Sequence, residues 1–522
     1  MIKKIIALAL CAVLASGLAA LPASAAAADG RSELPIIYVY GRHDELVTAD
    51  GEPIPAVNFK NADVSEVVDA ALPSFWKGVT TGDWSGYADS ICRALASEFD
   101  QTRLSKDGEV IDGSHIGWTW DRDTLWDPGN GYDIYDYGFV YDYRVSPIES
   151  AEYLAAYIDD VLDVTGFEQV NIVGRCQGCE IVQAYLYKYG CSKVRCYVSY
   201  TTAANGVAAL DALFTGDANV DLAAIDRYLS DYPGTMDIST GDGHLDRYIK
   251  ATISAAKNDP AALLTQGVAN LIWDRLYDEI VPDVVLYTYG TYPAFWGLLS
   301  DDCYDDAKEL VFSGREEEYA GLIEKIDAYR VIQQATPDML ERMAEEDGLQ
   351  VCVIAKYGYQ DVPFDGKRQG ELGDGFSPLV ETSYGATCAK QNGVLDKKYI
   401  ESREAAGCGA YISPDRQVDA STCLFPDKTW IIKGIGHIEF PGCINRFMLW
   451  FFINDGEVDV NSGEEYPQFM VYDRANDALL PADESNTATE GWSTGYFSAI
   501  FERIKAFFSL VAHLISNLFG RE

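Results

Sequence analysis

The chain has 522 residues, enough for one large domain with insertions or for two to three ordinary ones, and its 48% apolar content supports a sizeable core. A net charge of −41 argues against nucleic acid as a partner, which needs basic patches, and suits a soluble exported protein. Solubility accounts for most of these charges.

The start reads as a secretory signal peptide, residues 1–25. Lys3 and Lys4 give a basic beginning, Ile5 to Leu21 an apolar middle, and Ala23-Ser24-Ala25 a cleavage site. Leu10 before Cys11 does not suit a lipoprotein signal. No later stretch offers the roughly 20 uninterrupted apolar residues of a membrane span. Of the twelve cysteines Cys11 lies in the leader, which leaves eleven. That number permits up to five disulfides and one free thiol, and it equally fits a mostly reduced chain.

Pro35 to Tyr40 reads as a buried strand ending at Gly41, and residues 64–104 as helical. Tyr137 to Tyr143 is a second strand, ending at Arg144, and Glu149 to Val164 has apolar residues at helical spacing. Val170 to Val173 and Val194 to Tyr200 are further strands, the second ending at Thr201-Thr202. Strand–helix alternation of this kind implies an α/β fold, a mostly parallel sheet with helices on both faces. The alternation stops across 206–346, which is mostly helical and reads as a cap insertion, with a separate domain as the alternative. Strand character returns at Leu349 to Lys356 and at Thr429 to Lys433. The expected organisation is a core in two parts, 29–205 and 347–480, around the cap. A polar linker at 481–494 and an amphipathic helix at 495–522 follow. In that helix the apolar residues between Phe497 and Phe519 recur every three or four positions. Such a stripe can pack back on the protein, but its terminal place after a linker favours contact with a membrane, an envelope component or a partner. A basic polar face is lacking.

Gly174-Arg175-Cys176-Gln177-Gly178 lies between the strand at 170–173 and a helix-like run from Cys179 to Leu186. Strand, Gly-x-nucleophile-x-Gly and helix form a nucleophile elbow, here with cysteine at its tip. A buried cysteine in a chance match is the plain alternative. Placement at a helix N-terminus is expected to favour a thiolate. A thiol nucleophile needs a base, and the base an orienting carboxylate. Of five histidines, His437 follows a strand and the turn Gly434-Ile435-Gly436 late in the chain, the place for the base. The acid is Asp374, in Gly373-Asp374-Gly375, or Asp361, just after the strand 349–356. The oxyanion donors are expected to be the backbone amides of Gln177 and Arg42. His43 is a candidate pocket-lining residue. Asp217-x-Asn219-x-Asp221 begins like a calcium loop, but Leu222 and Tyr228 replace the required glycine and glutamate.

With these residues in hand, the chain resembles the lecithin:cholesterol acyltransferase and phospholipase branch of the α/β-hydrolases. Pro35 to Gly41 with Leu46 resembles that family's first strand and oxyanion loop, and Tyr141-Asp142-Tyr143-Arg144 its Tyr-Asp-Trp-Arg segment. Leu154 to Gly174 is similar to the helix and strand leading into its elbow. Gly373-Asp374-Gly375 with Pro378 and Ser383 resembles its Gly-Asp-Gly-Thr-Val-Pro motif, which implies Asp374 as the acid. The likeness covers 34–204 and 349–452. It departs from the pattern at Cys176, where the family has serine, and at Phe376-Ser377. The resemblance implies an α/β-hydrolase fold and a secreted ester hydrolase, lipase- or esterase-like or an acyltransferase, acting on a lipid or other ester through Cys176, His437 and Asp374, with no cofactor or metal. The alternative is an inactive hydrolase-fold protein that binds a ligand or envelope component.

Overall fold

The computed structural model describes residues 30–41, 46–54, 86–217, 280–360, 370–391 and 393–487, with a few more between 73 and 83. The leader, Arg42, His43, Asp361 and the stripe at 497–519 lie outside the described residues.

In chain order the main elements are β1 (Ile36–Val39), α1 (Tyr87–Phe99), β2 (Tyr137–Phe139), α2 (Pro147–Thr165), β3 (Val170–Arg175), α3 (Gly178–Tyr189), β4 (Val194–Tyr200), α4 (Ala208–Phe214), α5 (Asp301–Phe312), α6 (Ala320–Glu345), β5 (Gln350–Tyr357), β6 (Thr429–Lys433), α7 (Gly442–Ile453), β7 (Phe469–Asp473) and β8 (Ala478–Pro481). The eight strands form one sheet in the order β8-β7-β6-β5-β4-β3-β1-β2. Only the β7–β8 pair is antiparallel. This is the mostly parallel α/β architecture expected.

Parallel strands covered by helices read as unbroken apolar runs. β1 shows this, with each of its residues at most 1% exposed. The strand order reverses at β1, whose neighbours are β2 and β3. Open α/β sheets bind ligands beyond the carboxyl ends of the strands flanking such a reversal. β1 leads there through Tyr40 to Gly41, and β3 leads there into Cys176.

Local chemistry sets the element ends. Ser146 caps α2, its hydroxyl accepting the Ile148 amide, with Pro147 at the first helical position and Gly166 in a left-handed conformation (φ 74°) at the close. β2 stops at Phe139, short of the expected Tyr143. The Asp142 carboxylate accepts the Arg144 amide at 3.0 Å and grips its guanidinium at 2.9 and 2.7 Å, which bends the chain out of the sheet. Within 206–346, α6 packs against α3 and enters β5 through Gly348. It thereby forms the last part of the crossover that joins neighbouring strands β4 and β5.

The elbow glycines are required by space. A β-carbon on Gly178 would lie 2.4 Å from the Tyr40 carbonyl oxygen and 2.6 Å from that of Val39. One on Gly174 would lie 3.0 Å from the Cys179 α-carbon. Backbone cannot yield as a flexible side chain does, so Gly178→Ala is expected to destabilise the fold by about 3 kcal/mol. Denaturant titration of wild type and variant checks this; equal midpoints would contradict the packing described.

Candidate active site

Cys176 is held in the left-handed region (φ 50°), a strained backbone for a non-glycine residue. Its amide donates to the Tyr200 carbonyl at 3.0 Å, and its carbonyl accepts the amides of Cys179 at 3.1 Å and Ala203 at 3.2 Å. These bonds turn the chain sharply from β3 into α3 and leave the thiol beyond the strand end. There the sulfur meets His437 Nε2 at 3.0 Å, and His437 Nδ1 meets Asp374 Oδ2 at 2.8 Å. Residues separated by up to 261 positions thus form one nucleophile–base–acid line.

Each member is anchored. The His437 amide donates to the Asp374 carbonyl at 2.8 Å, so backbone as well as side chains join the two loops. The second Asp374 oxygen accepts the amides of Phe376 at 3.1 Å and Ser377 at 2.9 Å. The Phe376 ring lies against the imidazole, 4.8 Å between centroids. Burial works to raise the Asp374 carboxyl. His437, Lys356 and the Ser377 amide outweigh it and hold the acid below its ordinary range.

The loop carrying His437 is tied down by cations that the sequence reading did not single out. Lys356 is fully buried at the end of β5 and donates to the carbonyls of Gly436 at 2.8 Å and His437 at 2.9 Å. Arg175 donates to the Ile438 carbonyl at 3.3 Å and lies over the Phe440 ring. Arg474 binds Glu439 and the Gly434 carbonyl, while Glu439 accepts the Gly436 amide at 2.7 Å. The available signal was a charge in an otherwise apolar strand, Val351-Cys352-Val353-Ile354-Ala355-Lys356, since an interior charge needs a reason. Desolvation brings the Lys356 amine down to about 8, despite the attraction of Asp374.

The same burial corrects one expectation. At a helix N-terminus Cys176 was expected to favour the thiolate. Desolvation instead raises its thiol well above the ordinary range, although Arg175 and the Gln177 amide pull the other way. His437 is lowered, first by burial and further by Lys356 and Arg175, against the opposing effect of Asp374. Both shifts favour a neutral thiol beside a neutral imidazole. Such a pair transfers its proton during attack, in the manner of a serine enzyme.

The Gln177 amide, at the start of α3, favours negative charge at the Cys176 sulfur. Gly41 closes the other side, where a β-carbon would come within 3.3 Å of the Cys176 β-carbon. Arg42 and Asp361 lie outside the described residues. His115 is exposed and its ring contacts only the nearby Gly113 carbonyl among the bonds seen, far in role from the cluster. No disulfide links the eleven cysteines among the described residues. Among those residues no group of three or more His, Cys, Asp or Glu side chains is arranged to hold a metal ion, and no helix is long and apolar enough to cross a membrane.

Comparison with known proteins adds one match. A family model described as the alpha/beta hydrolase fold fits residues 77–231, which include β2, β3, the elbow, α3 and β4. A search of curated proteins finds no match.

A thiol held neutral should react with an alkylating agent faster as pH rises, even beyond the ordinary cysteine range of about 8.5. Iodoacetamide modification of Cys176, followed by peptide mass spectrometry across pH 6 to 10, tests this. A plateau already reached below pH 7 would instead show a preformed thiolate.

Proposed function

We propose, from the premise that this chain belongs to the α/β-hydrolase superfamily, that it is an exported acyl-ester hydrolase working through a Cys176–His437–Asp374 triad. The observation that carries this reading is the continuous line from Cys176 Sγ through His437 to Asp374, with contacts of 3.0 and 2.8 Å. Geometry of this kind, at the carboxyl end of a parallel sheet, is what covalent acyl transfer needs.

In the first half-reaction the Cys176 sulfur forms a bond to the ester carbonyl carbon as its proton passes to His437 Nε2. The carbonyl electron pair moves onto oxygen, which the Gln177 amide receives, together with the Arg42 amide as the expected second donor. Collapse breaks the carbon–oxygen bond, and the leaving alkoxide takes the proton from His437. Water then attacks the thioester with His437 as base, releasing the acid and restoring the thiol. Asp374 holds the imidazole in one tautomer and stabilises its cation. Lys356 positions the base through the two loop carbonyls.

A lipid or other ester is the proposed substrate class, as the resemblance described above implies. Export through residues 1–25 and envelope or membrane contact through 497–519 belong to the same proposal. An inactive binding protein is the reading that failure of turnover would support.

Cys176→Ala and His437→Ala are expected to lower ester hydrolysis by at least about 10⁴-fold, and Asp374→Asn by about 10⁴-fold. Steady-state assays on short and long acyl esters measure this, and full activity in any of the three would sink the mechanism. The base must be neutral to act, and burial lowers its pKa. The acid limb of kcat/KM should therefore fall below pH of about 6.5, with activity retained above it. An acid limb well above that value would contradict a desolvated His437.

A further inference from the structure

α3 turns a polar stripe toward the protein interior. Gln177, Glu180 and Gln183 recur at spacing three, so they share one face, and all three are fully buried. Gln183 donates to the Tyr384 hydroxyl and Gln177 to the Tyr143 carbonyl, each at 3.0 Å. Glu180 is different: neither carboxyl oxygen has a hydrogen-bond partner. The Gln177 carboxamide nitrogen gives one N–H to Tyr143; its other lies near enough to favour the Glu180 anion without forming a hydrogen bond to either carboxyl oxygen. The Gln177 carboxamide oxygen and the hydroxyls of Tyr141 and Tyr329 are likewise unmatched.

These atoms belong to one place. A β-carbon on Gly297 would lie 2.4 Å from Glu180 Oε1 and 2.5 Å from the Tyr329 ring, so glycine is required where the three residues meet. Tyr141 is within electrostatic reach of both Glu180 and Cys176, and Tyr329 of both Glu180 and Tyr141. Gln177 follows Cys176 directly in the chain, so the group lies next to the nucleophile. It also includes the side chain of Gln177, whose amide is proposed to receive the oxyanion.

Buried polar atoms without partners are uncommon, and each calls for an explanation. Here acceptor oxygens outnumber the protons that a neutral carboxyl, two phenols and the remaining Gln177 N–H can supply. An anion would add more acceptors. An ammonium brings only donors, its charge suits Glu180, and two phenol rings flank it. The net charge of −41 further concentrates cations at the protein.

We propose that Glu180, Gln177, Tyr141 and Tyr329 form a subsite for a primary ammonium on the acyl part of the substrate, which makes the preferred substrate an aminoacyl ester. This rests on the hydrolase reading above and narrows its substrate class. Burial pushes the unliganded Glu180 carboxyl well above its ordinary range and so favours its protonated form. Docking of the ammonium releases that proton to solvent and leaves an ion pair beside the scissile carbonyl.

The test compares phenyl alaninate with phenyl isobutyrate, which differ by ammonium against methyl, and subtracts uncatalysed hydrolysis. Wild type should prefer the alaninate by about 10⁴-fold in kcat/KM, the scale of a site built to hydrogen-bond its substrate. Glu180→Gln should bring the ratio near one, and Tyr329→Phe should lower it several-fold should Glu180→Gln fail to fold. Equal use of both esters by wild type, or a preference that survives Glu180→Gln, overturns the subsite while leaving the hydrolase reading intact. Absence of turnover with either ester defeats the hydrolase reading. The subsite is then judged by calorimetry with alaninamide: binding with release of about one proton, lost in Glu180→Gln, upholds it, and no binding overturns it.

Discussion

Everything at this site depends on how closely α3 approaches the end of β1. Gly178 lies where any β-carbon would strike the carbonyl oxygens of Val39 and Tyr40. That contact sets the helix axis and brings the first turn of α3 against the strand flanking the reversal of strand order. Cys176 is forced into a left-handed conformation to make the connection. The strain is held by three backbone bonds, to Tyr200, Cys179 and Ala203. A nucleophile fixed in this way does not search for its base; the fold has already met the entropy of placing it.

Burial then decides the chemistry. Cys176, His437 and Asp374 are each no more than 3% exposed. Desolvation disfavours charge on both sulfur and imidazole, so the helix end and Arg175 do not produce a resting thiolate. Asp374 escapes because His437, Lys356 and two backbone amides surround it. These shifts favour an anionic acid, a neutral base and a neutral nucleophile in line. Lys356, Arg175 and Arg474 hold the His437 loop by its carbonyls and through Glu439. The order of the triad therefore rests on cations drawn from three different strands or their ends.

Much of this was legible in the sequence, for physical reasons that differ by element. The limits of β4 and β6 were readable because buried parallel strands are built around apolar runs, here Cys196-Tyr197-Val198 and Trp430-Ile431-Ile432. The elbow was readable because only glycine fits on either side of the turn. Asp374 and His437 were placed by chain order and motif resemblance, and the structure brings both to Cys176. The end of β2 was misread, since Tyr141 and Tyr143 look like strand residues while a hydrogen bond from the Arg144 amide to Asp142 bends the chain. The thiol's ionisation was misread because a helix terminus is visible in sequence and depth of burial is not. Lys356, Glu180 and Gly297 went unnoticed because their importance comes from neighbours distant in the chain.

The central claim is that Cys176 is a working nucleophile. Intact-mass analysis after brief reaction with an activated ester, comparing wild type with Cys176→Ala, tests it most directly. The account predicts one acyl adduct on wild type, absent from Cys176→Ala and lost with time as the thioester hydrolyses. A folded wild-type protein that gains no Cys176-dependent adduct would contradict it.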